Sequence, residues 1–302
     1  MSTNLPLVSI CIPSYKNSKL LNRCLQSVVD QTYTNIEIII TDDSPNDEVA
    51  EVVRNYLSDS RIRYIKNPIA LGSPENWNEG IRHAKGDYIK IMHHDDWFAT
   101  PHALHHFVEK VKETNADFIC SYCYNVHPDK KIGHSVLKRF RTKWAENPKL
   151  ILYANYLGNP STILFRRPAT HPILYDKRSI WFVDILFYYE YVKFYPKVAY
   201  IEEYLINTSA GLDTQITNST INAQVAIGEF IYLIDKCNLD IRNSFLTKLS
   251  LVELLKRYNI TSKKELETLV DIPLEIQIPY FLLKLPVSHQ VFNVMKHLLI
   301  LK

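Results

Sequence analysis

The chain is expected to adopt an α/β fold, a Rossmann-like, mostly parallel sheet with helices on both faces, followed by a C-terminal helical appendage. Three observations predict it. Residues 7–12 and 36–41 are near-continuous apolar and β-branched runs, the pattern of strands covered on both faces. An amphipathic helical repeat follows each of these runs, and strand-turn-helix then recurs along the first 125 residues. The second and fourth runs end in paired carboxylates, Asp42-Asp43 and Asp95-Asp96. In open α/β sheets ligands lie outside the carboxyl ends of the strands, so both pairs are expected at one edge.

The first strand stops at Pro13, and Ser14-Tyr15-Lys16-Asn17 makes a polar turn. Leu20, Leu21, Cys24, Leu25 and Val28 then recur at helical spacing up to Gln31. After the second strand, 42–47 is a cluster of turn and capping residues before a helix carrying Val49, Val52, Val53, Tyr56 and Leu57. A third, shorter strand at 62–65 precedes a loop with Pro68 and Gly72. Ser73-Pro74 starts a helix running to about Lys85. Residues 88–92 form the strand that delivers His93-His94-Asp95-Asp96-Trp97. Pro101 opens a helix with Leu104, Phe107, Val108 and Val111 inward, and 118–124 is the fifth strand.

Beyond residue 124 the regularity weakens. Residues 130–143 are basic with few apolar positions and are expected to form a mobile loop. A helix is expected around 148–156, a strand at 161–166 and a helix from Trp181 to about Tyr195. Two short strands near 198–201 and 204–207 should precede a polar loop at 209–219. From residue 221 the pattern is helical, with helices at 224–236, 245–258 and 263–270.

The 302 residues suit one large domain or one domain with an appendage. With 35 basic and 32 acidic residues the charge is too balanced to argue for nucleic acid as a partner. Five cysteines, an odd and scattered set, form no disulfide framework and suit a reducing compartment. Cys120 and Cys123 have metal-like spacing but lie in an apolar strand pattern, so buried thiols are expected. His102, His105 and His106 share a helix face with no carboxylate or thiolate to complete a ligand set. Residues 1–6 lack the features of a signal peptide, which points to the cytoplasm.

The apolar tail at 276–301 is interrupted by Pro279, Lys284, Pro286 and Lys296, too often for a membrane span. Residues 279–302 mix apolar and basic side chains. They fit either a peripheral helix on the inner face of the cell membrane, or a helix packed on the rest of the chain or on a homodimer partner.

Only seven glycines are present, with neither G-x-G-x-x-G nor G-x-x-x-x-G-K-[ST]. A diphosphate could still be held through a divalent cation on Asp95 and Asp96, since hard oxygen ligands need no glycine loop.

The blocks 8–17 (VSICIPSYKN), Asp42-Asp43-Ser44, Asn76-Trp77-Asn78-Glu79-Gly80, 84–89 (AKGDYI) and His94-Asp95-Asp96-Trp97 together resemble the family 2 glycosyltransferases of the GT-A fold. The resemblance covers roughly residues 5–210. It implies a catalytic domain over 1–220, with a nucleotide-sugar half at 1–125 and an acceptor half at 126–220, and a helical region at 221–302. It implies an inverting transfer from a nucleoside-diphosphate sugar, a UDP-sugar first, to a saccharide or lipid-linked saccharide acceptor in bacterial surface polysaccharide synthesis. Pro13, Tyr15, Asn17, Asp42, Asp43, Asn78 and Asp95 would bind the donor. Asp95 and Asp96 would hold Mn²⁺ or Mg²⁺, with His93 in place of the family's leading Asp. Asp184 stands at the position of the catalytic base, although Val183 replaces the preceding Glu and the Arg usual two turns later is absent. Residues 153–167 resemble the acceptor-side strand. Trp97, Trp181 and Phe182 are read equally as sugar-stacking or as core residues. The departures at His93 and Val183 keep a non-catalytic sugar-nucleotide binding module in view. A nucleotidyltransferase, the other alternative, would want a glycine- and lysine-rich loop after the first strand.

Overall fold

The computed structural model describes residues 5–170, 172–211, 221–271 and 280–302. It divides into two compact units, one of residues 1–136, 156–177 and 190–212, the other of 137–155, 178–189 and 213–302.

The first unit is built on a nine-stranded sheet. Strands β1 (Val8–Ser14), β2 (Ile36–Asp42), β3 (Ile62–Lys66) and β4 (Tyr88–Ile91) are parallel and lie in the order β3-β2-β1-β4. The sheet continues through β8 (Ile163–Arg166), β6 (Phe118–Val126), β9 (Val198–Ser209) and β5 (Trp97–Phe98), with β7 (Lys131–His134) on β6. Most of the paired length is parallel, including β6 with β9, but β8 enters antiparallel between β4 and β6. The expected fold is therefore present as a mixed, mostly parallel sheet.

Side-chain alternation sets the two layers. Val8, Ile10 and Ile12 of β1 and Ile38 and Ile40 of β2 turn to one face. There they pack with Leu21, Leu25 and Val28 of α1 (Ser18–Val29), Val49 and Val53 of α2 (Glu48–Arg54), and Leu104, Phe107 and Val108 of α4 (Ala103–Thr114). Each of these strand residues is fully buried, worth about 1.5–3 kcal/mol relative to exposure. Cys11 points to the opposite face, against Gly80 of α3 (Glu75–His83). A Cβ at Gly86 would meet Ser9 N at 2.6 Å, so only glycine lets the chain enter β4 this closely beside β1.

The stretch 130–143, expected as a mobile loop, is instead ordered as β7 and as α5 (Lys138–Glu146). β7 is an exposed edge strand closed by a turn from His127 N–H to the Lys130 carbonyl, and an edge strand carries no apolar signature. α5 needs only one pair of inward residues, Phe140 and Trp144, four apart, buried and stacked at 6.1 Å. Its basic side chains hid that pair in the pattern.

The helix expected around 148–156 is a 3₁₀ turn, Pro148–Tyr153, capped by the Asn147 side chain. The strand expected from 161 starts two residues later, after a 3₁₀ turn at Pro160–Thr162. The two strands expected near 198–207 are one strand, β9. Its pairing with β6 skips Glu202 and Glu203, a bulge that the sequence presents as a break. Most of the loop expected at 209–219 lies outside the described residues.

The second unit holds the first half of α6 (Val183–Phe194), then α7 (Ala223–Lys236), α8 (Phe245–Arg257), α9 (Lys263–Leu269), α10 (Tyr280–Leu283) and α11 (His289–Leu301). The expected C-terminal helices are thus present. Leu249 and Val252 of α8 form a small core with Leu282 and Phe292. Lys296 of α11 lies 3.4 Å from the buried Glu253, which also pairs with Arg257. No described helix is long and apolar enough to cross a membrane.

Candidate active site at the sheet edge

Parallel pairing puts the carboxyl ends of β1, β2 and β4 on one edge: Ser14 lies opposite Asp42, and Met92 N–H donates to the Cys11 carbonyl. The loop after β1 is tied to the loop after β2 by Asp43 N–H on the Ser14 carbonyl and Lys16 N–H on Ser44 Oγ at 2.7 Å. Lys16 and Asn17 both have positive φ, 54° and 58°, which turns the chain sharply from β1 into α1. Tyr15 is half exposed there, and Pro13, the expected end of the strand, still pairs with Thr41 inside β1 and sets its carbonyl 3.3 Å from His94 Nδ1.

The two carboxylates after β2 are engaged by the protein. Asp42 accepts from Tyr64 Oη (2.7 Å), Lys66 Nζ (2.9 Å) and Ser44 N–H (2.8 Å). Asp43 accepts from Asn67 Nδ2 and from the Leu71 and Gly72 amides, which fixes the loop after β3. Asn76 joins this frame through Asn67 and the Ser14 and Thr41 carbonyls. Asn78 uses its whole carboxamide on Glu75 and on both backbone groups of Tyr175. Tyr175 in turn sets the edge of its ring on Trp77, and Trp77 lies 4.5 Å from the His93 ring.

The motif after β4 is arranged differently. Asp96 is buried, accepting from Asn159 Nδ2 (2.8 Å) and Ser209 N–H (3.1 Å). Burial, with the Asp95 charge beside it, holds its pKa well above the ordinary carboxylate value. The main chain of Asp95 is fastened by Arg23 Nη2 and Ser209 Oγ on its carbonyl, and the Arg23 guanidinium stacks 3.5 Å above Trp97. Its carboxylate makes no hydrogen bond to a described residue. His93 is held by its own N–H on Ser161 Oγ, while its ring Nε2 is buried without a partner. Burial pushes the pKa of this imidazole down to about 4, so the ring is neutral near pH 7 with a lone pair to offer. Ligand atoms of His93, Asp95 and Asp96 lie within 4.8 Å of one another. Two carboxylates and a neutral imidazole at that spacing, one oxygen donor uncommitted and one ring nitrogen orphaned, fit a divalent cation.

The turn that reaches Asp96 depends on Gly158, whose φ of +97° suits no residue with a side chain. Beneath it the buried Lys90 of β4 donates to the Ser161 carbonyl at 2.6 Å, with its ammonium 4.2 Å from the Phe107 ring. Burial lowers this lysine to about 7. Sequence reasoning missed Arg23, Asn159, Ser161 and Ser209. The signal available was weak: Arg23 sits among the buried positions of α1, and Gly158-Asn159-Pro160 is a turn signature at the head of a strand.

Asp184 lies in the first turn of α6, within the second unit. One of its oxygens, Oδ1, is buried with no partner, and burial raises its pKa to about 7. Trp181 and Phe182 are partly buried just ahead of it, Phe182 with its ring 5.9 Å from Phe230. The five cysteines are free and buried, as expected. His105 and His106 pair with Glu109 and Glu203, and the three histidines of that helix form no ligand cluster among the described residues.

The chain is thus an α/β protein whose sheet gathers an acidic motif at the edge where β1, β2 and β4 end. The model for the family "Glycosyl transferase family 2" matches residues 9–174, and the chain belongs to that family. Over 108 residues it is 39% identical to the UDP-Glc:alpha-D-GlcNAc-diphosphoundecaprenol beta-1,3-glucosyltransferase WfaP of Escherichia coli, covering 35% of this chain and 43% of that one. The chain's matches span about 40–54% of the length of the first curated relatives. In fold it is similar to S. aureus TarS in complex with UDP-GlcNAc, with a TM-score of 0.61 and 17% identity over 96% of this chain and 79% of that one. It is likewise similar to the mannosyltransferase PcManGT from Pyrobaculum calidifontis in complex with GDP-Man and Mn²⁺, with a TM-score of 0.58 and 14% identity over 99% and 86% of the two chains.

Proposed function

We propose that the protein is an inverting, metal-dependent glycosyltransferase that moves a sugar from a nucleoside-diphosphate donor, a UDP-sugar first, to a saccharide or lipid-linked saccharide acceptor in bacterial surface polysaccharide synthesis. The observation that carries the reading is the His93, Asp95 and Asp96 cluster, with its uncommitted Asp95 carboxylate at the edge where β1, β2 and β4 end. WfaP, whose name gives UDP-Glc as donor and a diphosphoundecaprenol-linked acceptor, supports the choice of substrates.

In this reading the nucleotide lies along the loop of Pro13, Tyr15 and Asn17. The frame built by Asp42, Asp43 and Asn78 shapes its base and ribose site. Mn²⁺ or Mg²⁺ bound at Asp95 and Asp96 would supply Lewis-acid stabilisation of the charge that develops on the departing diphosphate. Asp184 takes the proton from the acceptor hydroxyl as that oxygen attacks the anomeric carbon from the side opposite the leaving group. A carboxylate raised to about 7 is a stronger base than an ordinary one and still ionises near neutral pH. Single displacement inverts the anomeric centre and needs no second carboxylate as nucleophile.

Calorimetric titration with UDP, GDP, TDP and CMP, each with Mn²⁺ and with EDTA, tests the donor site. Binding of one diphosphate in Mn²⁺ alone is the expected outcome. No binding in either condition would leave the catalytic reading without its donor site.

We also propose a peripheral membrane contact through α11. Val291, Val294, Met295, Leu298 and Leu299 form an exposed apolar stripe on a helix with no acidic residue, while its Lys296 is turned inward to Glu253. Flotation with vesicles containing an anionic lipid should recover the full chain, and Val294→Glu with Leu298→Glu should release it. Equal flotation of both proteins would discard the contact.

A further inference from the structure

The loop that leads into α6 is fastened by a single buried carboxylate from another helix. Glu229, in the middle of α7, accepts four hydrogen bonds: Ser179 Oγ at 2.8 Å, Ile180 N–H at 2.7 Å, Trp181 N–H at 2.9 Å and Phe182 N–H at 3.0 Å. Ser179 is fully buried and Glu229 is 7% exposed. Two later residues of the same helix add to the grip: Phe230 meets the Phe182 ring, and Tyr232 lies 3.9 Å under the Arg178 guanidinium.

Two features separate this from ordinary capping. A helix N-terminus is commonly served by a side chain a few residues upstream, which satisfies one or two amides. Here an acceptor-only group takes three consecutive amides and a hydroxyl, Oε1 accepting from Ile180 and Oε2 from the other three, each bond charge-assisted. Those amides belong to the residues just before α6, and Asp184 is the second residue of that helix. The direction of the Asp184 side chain is therefore set by where residues 180–182 are held. Its Oδ1 sits buried with no donor, a placement that a loose loop would not keep, because an unpaired carboxyl oxygen is better solvated on turning to water.

We propose that Glu229 is a positioning residue for Asp184: by fixing residues 179–182 it holds the first turn of α6 so that one oxygen of Asp184 stays buried and undonated. The inference rests on the assignment of Asp184 as the base for its functional meaning. It makes the helical C-terminal region a contributor to the base through Glu229, rather than an appendage.

The test reads Asp184 directly and needs no acceptor. Protein carrying ¹³Cγ-labelled aspartate is titrated by NMR, with the Asp184 resonance assigned by its loss in Asp184→Asn. The wild-type carboxyl should titrate near 7. In Glu229→Gln, whose amide presents hydrogens to the same N–H groups, the midpoint should fall by at least about one pH unit. Amide exchange in peptides covering 179–186 should speed at least about tenfold while the strands of the sheet keep their protection. A wild-type midpoint near 4, or an unchanged midpoint and unchanged exchange in Glu229→Gln, overturns the proposal. Should Glu229→Gln fail to fold, Ser179→Ala removes one of the four bonds. A smaller shift in the same direction supports the role, and an unmoved Asp184 midpoint overturns it. Release of UDP from UDP-glucose in water, measured for wild type and Asp184→Asn, keeps the two readings apart. Retained turnover in Asp184→Asn ends the base assignment alone, while lost turnover beside an unmoved Glu229→Gln titration ends the positioning role alone.

Discussion

Asp42-Asp43 and Asp95-Asp96 each follow a parallel strand of one sheet, two strands apart, and read almost alike in the sequence. Their surroundings part them. The first pair meets Tyr64, Lys66, Asn67 and the amides of Ser44, Leu71 and Gly72, so every carboxylate oxygen is met by a donor. In the second pair Asp96 is held in the same manner, while the Asp95 carboxylate is left open beside a neutral histidine. A buried carboxylate met by donors on both oxygens, as in Asp42, Asp43 and Asp96, holds structure, and Asp96 could add only a remaining lone pair to a cation at Asp95. One left without donors is available to a cation. The comparison separates frame from site by hydrogen-bond inventory.

Removing a member of the frame should have the largest effect. Asp42→Ala leaves Tyr64 Oη and the Ser44 N–H without their acceptor and takes the carboxylate from Lys66, which keeps the Ser44 and Asn46 carbonyls, and urea unfolding should show a loss of about 2–4 kcal/mol. The metal dependence of nucleotide binding should survive in the folded fraction. A stability change below about 0.5 kcal/mol with nucleotide affinity lost would instead make Asp42 a direct ligand contact.

Asp95→Ala should do the reverse. Calorimetry in Mn²⁺ should show nucleotide affinity down by about 100-fold, about 2.7 kcal/mol, with the unfolding midpoint unmoved. Equal affinities for wild type and variant would remove Asp95 from the cation site.

Asp184 extends the comparison to a carboxylate whose buried oxygen has no donor at all. Its folded pKa, about 7, stands above the ordinary 3.8, so the stability it contributes is fully present below about 4 and lost as pH rises through 7. Asp184→Asn should therefore be more stable than wild type at pH 8, by about 1–3 kcal/mol, and equal to it at pH 3.5. Turnover of the wild type should rise with pH up to about 7 and then level, because the ionised form is the base; a flat profile from pH 5 to 8 would contradict this.

The smallest effect is expected at Asn159. Asn159→Ala takes one donor from Asp96 and should cost about 1 kcal/mol in unfolding. Mn²⁺-dependent nucleotide affinity should drop about tenfold, since residues that orient a metal ligand act through it. Loss of stability without loss of affinity would place Asn159 in the frame alone.

Much of the fold was legible from position 7 to 124 because each strand there is a short β-branched run and each helix has one apolar face. Both are periodic signals that survive without neighbours. The failures have physical causes. α5 buries only Phe140 and Trp144, too few to outweigh its lysines and arginines. β7 lies at an edge, where no face is buried. β9 passes through a bulge at Glu202 and Glu203 that looks like two ends. In the site, Asp95 and Asp96 could be singled out because adjacent carboxylates after a strand are conspicuous. Arg23 and Ser209 could not, since each joins the site across a long sequence separation.

The sequence by itself determined most of the strands and helices up to residue 124, which strand ends carry acid, and the family to which the blocks from Val8 to Trp97 belong. Those properties are local, written in residue type and spacing. The tertiary structure alone decided that Asp42 and Asp43 are filled with donors while Asp95 is not, that β8 enters the sheet antiparallel, and that Glu229 grips the loop before Asp184. Donors and strand partners arrive from distant parts of the chain, and whether a carboxylate is satisfied depends on every group that reaches it.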